Sequence, residues 1–200
     1  MTTGSISSSM IGWVAIATGV AGLLGLVFII LFFTIGQPFG TLNDIFIGIA
    51  GILSGVLAWT LYTEHHTQSP LLSQIALIFA LVGAVIIAVG SVLVISGKTG
   101  WYLAGLYIAV GNALIGLWLL GLNYSVQHSN PWPHGVVVFG IAIGIIMVLG
   151  LVAIPGIFRG IDSMEAAPWY INYIGQAGAL GWLILYPIWC ILLGRVLLFK

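Results

Sequence analysis

Charge is almost missing from this sequence: four basic and four acidic side chains are spread over 200 residues. An average soluble domain is about a quarter charged, and so few charges cannot build the polar surface that a soluble chain needs. Zero net charge excludes the basic field that nucleic acid or another polyanion requires. Lys98, Arg159, Arg195 and Lys200 are scattered, so no basic run is available to grip anionic headgroups. The single cysteine, Cys190, rules out an intramolecular disulfide, and its apolar surroundings mark it as a buried, inert thiol. Catalytic signatures are missing too. There is no Ser-His-Asp set, Gly-rich phosphate loop or Cys-pair motif, and no cofactor is expected.

What is present is hydrocarbon: 61% of the residues are apolar. Six runs stand out, at residues 10–33, 44–62, 73–95, 101–121, 136–154 and 174–198. Each comes close to or exceeds the ~20 residues, at 1.5 Å rise, that cross a bilayer core. None shows the ten-residue alternation of a barrel strand, and in lipid the backbone must pair its N–H and C=O groups locally. The expected fold is therefore all-α, a polytopic transmembrane helical bundle of six spans forming a single domain over residues 1–200. Residues 1–9 are polar and uncharged, without the basic n-region of a signal peptide, so residues 10–33 read as a span and not a leader.

The punctuation between runs agrees. Glycine and proline at Gly36, Pro38 and Gly40 break the first connection, and Thr41 with Asp44 reads as a capping box opening the second helix. Ser69 and Pro70 end the second connection, Gly97 and Gly100 mark a tight third turn, and Pro131 and Pro133 stiffen the fourth. Pro155 and Gly156 read as the close of the fifth helix. Residues 157–173 form the longest connection and hold the one charge cluster, Arg159, Asp162 and Glu165. Spaced three apart, these would pair along one face of a short interfacial helix. Trp59, Tyr62, Trp101, Tyr102, Trp132, Trp169, Tyr170 and Tyr173 fall at span ends, where aromatic rings settle at the headgroup level.

Six spans put both termini on one side. Two basic residues fall on each side, so the positive-inside rule ties. Arg195 and Lys200 flank a span without an acidic neighbour, which leans toward cytoplasmic termini. A local echo links residues 62–70 with residues 124–131, each with Tyr, then His four places on, then Pro. It needs a one-residue gap and reads as chance rather than as a transporter repeat.

Four side chains with metal-ligating chemistry lie on the side of the termini: His65, His66, His128 and His134. Neutral imidazoles, with Glu64 nearby, suit zinc. Against this, polar rings are at ease at an interface, and the spacing matches no His-Glu-x-x-His signature. Asn112 falls at the middle of the fourth span, where an amide either bonds a neighbouring helix or meets a ligand. Ser54, Gln74, Ser91 and Gln176 invite the same two readings. No charge is expected deep in a span, which counts against an ion-coupled carrier. Gly51 with Gly55, and Gly140 with Gly144, make flat faces for close helix contact, and Gly175, Gly178 and Gly181 add a stripe. Intramolecular packing is the simpler use of these than a dimer interface. In the sixth span Trp182, Tyr186 and Trp189 share a face and Pro187 removes a hydrogen bond. A kinked aromatic face can line a ligand cleft or pack as core, with Arg195 snorkelling to the surface.

Pro38-Phe39-Gly40-Thr41-Leu42-Asn43-Asp44, together with Gly181-Trp182, Tyr186-Pro187-Ile188-Trp189 and Gly194-Arg195, resembles small bacterial six-span integral membrane proteins of unknown function. The resemblance covers those segments and implies a bacterial plasma-membrane protein, with no catalytic residues to carry over. The favoured expectation is a non-enzymatic bundle that binds lipid, protein or an apolar ligand. Asn112, Gln176, Trp182, Tyr186 and Trp189 are its candidate ligand-binding residues. The expected partners are the lipid bilayer and a second copy or another membrane protein. A transporter or channel for a small neutral solute is the first alternative. A metal-dependent membrane enzyme on the histidine side is the second.

Overall fold

A computed structural model describes residues 8–127 and 131–199. Among these, six helices are long and apolar enough to span a membrane: α1 (Ser8–Ile35), α2 (Phe39–His65), α3 (Pro70–Ile95), α4 (Trp101–Val126), α5 (His134–Phe158) and α6 (Trp169–Leu198). Each extends past its apolar run at one or both ends, because the polar and aromatic residues of the headgroup layer continue the helical backbone. Local chemistry sets the boundaries. α1 closes on Gly36, whose N–H still bonds the Phe32 carbonyl at 2.9 Å and whose φ of +100° turns the chain out of the helix. α3 closes in a Schellman turn at Gly97, with Lys98 N–H bonded to Leu93 O at 2.9 Å. Pro70 sits in the first turn of α3, where its missing N–H costs nothing.

The helices run alternately up and down in a ring, α1 against α2, α2 against α3, α3 against α4 and α4 against α5. The first half of α6 lies on α5 and its second half lies on α1, which closes the ring. Hydrocarbon offers no hydrophobic drive between helices, so close packing must hold them. Reciprocal glycine pairs provide it at three contacts. A Cβ placed on Gly83 would stand 2.5 Å from Gly111 O, and one on Gly111 would stand 2.7 Å from Gly83 O. Gly116 and Gly144 join α4 to α5 in the same way, and Gly12 and Gly194 join α1 to α6. Gly51 and Gly55 seat α2 on Ile87 and Ala84 of α3, and Gly140 lies against Asn123. The glycine motifs thus serve packing within the chain.

Four local expectations are corrected. α2 begins at Phe39 behind Pro38, with no side-chain cap; the Thr41 N–H and hydroxyl turn instead to Gln37 Oε1 at 3.4 and 3.3 Å. Asp44 therefore lies inside α2 rather than at its start. Pro155 does not end α5. A 3-10 segment, Leu149–Ala153, precedes it, and the helix resumes through Ile154–Phe158, because a neighbour covers that stretch. Gly150 packs against Ala109 O of α4, and Gly178 of α6 fits over Gly150. The charge cluster forms no helix: Asp162 reaches across to the start of α4, where its carboxylate accepts the N–H groups of Gly100 and Leu103 at 2.7 and 2.9 Å. Finally, α6 starts at Trp169, five residues ahead of its apolar run, and carries a π turn, Gly181–Leu185, where Pro187 withholds a hydrogen bond.

Outward faces carry apolar side chains such as Ile52, Ile78, Val85 and Val92, the surface a bilayer wets. Exposed Trp13, Trp59, Trp101, Trp169 and Tyr173 mark the two ends. Inside, Trp189 is fully buried and donates its indole N–H to Val136 O at 3.0 Å. The rings of Trp118 and Tyr186 pack on it at 6.3 and 6.1 Å.

Candidate ligand pocket

In the half of the bundle away from the histidines, the ring does not close completely. α6 leans on α5 there and packs on α1 from the π turn onward. The gap is a pocket of about 390 Å³ walled by α1, α2, α4 and α6, within the size range of small-molecule sites. One face of α6 lines it with Asn172, Gly175, Gln176, Ala179, Trp182 and Leu183, the i, i+3, i+4 spacing of a single helical stripe. Ala153 of the 3-10 segment in α5 and Leu183 of the π turn also border it. At the mouth Phe33 and Trp101 are exposed and meet edge-on, with ring centres 5.9 Å apart.

The pocket is apolar except for a band of polar groups. Asn43 and Asp44 of α2 line it and are 6% and 7% exposed. The Asn43 amide donates to Gly25 O at 2.9 Å, which ties α2 to α1 beside Asp44. Across the pocket, Tyr102 OH donates to Asn172 Oδ1 at 2.8 Å, and Asn172 Nδ2 donates to Met164 O at 3.1 Å. With the Asp162 cap, these bonds hold the start of α4 to the loop before α6. Among the described residues Asp44 has no hydrogen-bond or ion-pair partner, and no Lys, Arg or His lines the pocket.

A second cavity of about 20 Å³ lies deeper, lined by Thr18, Ser54, Asn112, Trp182 and Tyr186 among others. That is room for about one water. Tyr186 OH donates to Ser54 Oγ at 3.0 Å, and the Ser54 hydroxyl donates in turn to Ala50 O at 2.7 Å. Asn112 bonds within its own helix, to Ile108 O at 2.9 Å, and not across to a neighbour.

The sequence-derived ligand residues are thus divided. Gln176 and Trp182 line the large pocket, while Asn112, Tyr186 and Trp182 line the small cavity. Trp189 lies in the packed core beyond both. Sequence reasoning missed Asn43, Asp44, Tyr102 and Asn172. The available signal was the Asn43-Asp44 pair inside an otherwise apolar stretch, masked by reading Asp44 as a cap.

On the histidine side, His65 Nε2 lies 3.7 Å from Glu64 and its ring meets Trp132 edge-on. His66 bonds Tyr62 O at 3.0 Å through Nδ1, and His134 begins α5. Among the described residues no three of His, Cys, Asp and Glu converge as a metal site. His128 lies outside the described residues.

The chain matches no protein-family model, no curated protein and no solved structure.

Proposed function

We propose that this multi-pass membrane protein is a non-enzymatic binding protein for a small amphiphile, held in the pocket between α1, α2, α4 and α6. The observation that carries this reading is the form of the cavity. It is roomy and apolar, with a polar band at Asn43, Asp44, Asn172 and Gln176, the combination by which pockets take an apolar body and orient a polar end. Toward the histidine side it shares Ile47 and Trp182 with the water-sized cavity, and the buried Tyr186 and Trp189 lie beyond. The tightly packed core between this pocket and the histidine side favours holding a ligand over conducting one. With termini on the cytoplasmic side, as Arg195 and Lys200 favour, the pocket lies in the outer half of the membrane. Reporter fusions after α6 test that orientation.

Trp101 and Trp182 line the site and supply the test. A bromine-tipped decanol titrated into protein in nanodiscs is expected to quench tryptophan fluorescence in a saturable way. Linear quenching, as from bilayer partition alone, would overturn the reading.

One observation favours transport as a second reading. Non-α turns in both α5 and α6 border the pocket, and irregular backbone lining a cavity is where carriers bend. Uptake of a labelled neutral solute into proteoliposomes supports it; absence of uptake across a panel removes it.

A further inference from the structure

We infer that the pocket selects an amphiphile whose polar end is a protonated amine, with the Asp44 carboxylate as its counter-charge; this rests on the binding reading above. Asp44 is the one charged side chain lining the pocket, and it is more than nine-tenths buried. It sits within the second turn of a membrane-spanning helix, where an ionisable group is costly and usually marks a functional site with a definite partner. A buried carboxylate stays ionised only with an opposite charge or donors beside it, and among the described residues this one has no such partner.

Among the described residues, the other charges do not supply the partner. Lys98 and Arg159 are exposed and do not line the pocket, and Asp162 is engaged at the start of α4. The neighbouring Asn43 commits one of its two N–H groups to Gly25 O and Asn172 one of its own to Met164 O, while the Trp182 indole N–H in the same lining has no partner among the described residues. The carboxylate thus faces a cavity that offers neutral donors but no cation. An ammonium group brings three donors and the missing charge, while a carboxylate or phosphate headgroup would meet Asp44 with no cation to offset it. Size bounds the rest of the ligand: about 390 Å³ lies near the lower end of small-molecule sites. A single chain fits that volume, and a two-tailed lipid would have to leave its tails outside the mouth.

Competition against the bromine-tipped decanol, in nanodiscs of zwitterionic choline lipid, tests this with decylammonium, decanol and decanoate. Decylammonium is expected to compete about tenfold or more better than decanol, and decanoate worst. Asp44→Asn, close to isosteric, should erase the ammonium preference while decanol still binds. Glu165→Gln, an exposed loop change, should keep it. Replacing part of the nanodisc lipid with ethanolamine phospholipid separates the sources: competition assigns the amine to a lipid headgroup, and its absence assigns it to a free amphiphile. Equal competition by decylammonium and decanol, or a preference that survives Asp44→Asn, overturns the ammonium inference and leaves the pocket reading standing. Failure of the bromine-tipped probe itself to saturate overturns both.

Discussion

The carboxylate of Asp162 accepts the backbone N–H of Gly100 at 2.7 Å, across sixty-two positions of sequence, and so caps α4 from the loop before α6. The absence of a Cβ at Gly100 makes room for it, because a Cβ there would lie 2.5 Å from Asp162 Oδ2. Two otherwise open amides at a helix start are satisfied by one distant anion, which the helix dipole also favours.

Asp162→Ala should therefore destabilise the protein by about 1–2 kcal/mol, the scale of a lost N-cap, and Asp162→Asn should recover part of the loss. Gly100→Ala displaces the same carboxylate, so the double variant should cost less than the two singles added. Unfolding midpoints in detergent check both.

Glycine substitutions should sort by what lies opposite. Gly83→Ala and Gly116→Ala push a methyl group onto the carbonyls of Gly111 and Gly144 and should cost about 1–3 kcal/mol each. Gly135 meets nothing within 4 Å, and Gly135→Ala should be neutral or stabilising by up to about 1 kcal/mol. Equal effects at all three positions would contradict the packing described.

Removing the two hydroxyls of the Tyr186–Ser54 bond should have unequal effects. Tyr186→Phe leaves Ser54 bonded to Ala50 O and should cost about 0.5–1.5 kcal/mol. Ser54→Ala strands the buried Tyr186 hydroxyl and should cost more, about 1–3 kcal/mol. Equilibrium unfolding of both variants under one condition measures the order.

Trp189 and Trp182 should separate stability from binding. Trp189→Phe opens a void beside Trp118 and removes the indole bond to the Val136 carbonyl. It should lower stability by about 1–3 kcal/mol and leave the affinity for the bromine-tipped decanol unchanged. Trp182→Ala removes a wall of the pocket and should weaken that affinity. A loss of affinity from Trp189→Phe would show that the core and the pocket are coupled.

The two tryptophans also mark how far the residues alone could be read. Trp182, Tyr186 and Trp189 share a helical face by spacing, yet α6 changes neighbours along its length. The same face lines a cavity at Trp182 and is sealed in core at Trp189. Spacing gives the face of a helix; the neighbour decides whether that face is hollow. Asp44 repeats the point. Its distance from Thr41 fits a cap, and the start of α2 at Phe39 placed it inside the bundle instead.

Composition and run length determined the membrane-spanning class, the number of helices and their approximate limits, because each is a local property: hydrocarbon tolerates few charges, and a span needs about 20 apolar residues. Even the use of glycine for close packing is visible in the chain. The tertiary structure alone decided which glycines face each other, that Asp162 caps a helix far from it, and that Asp44 stands at a pocket wall without a partner among the described residues. Those facts depend on how six similar apolar cylinders lean on one another. Shape complementarity summed over many weak contacts sets that lean, and no single run of residues contains it.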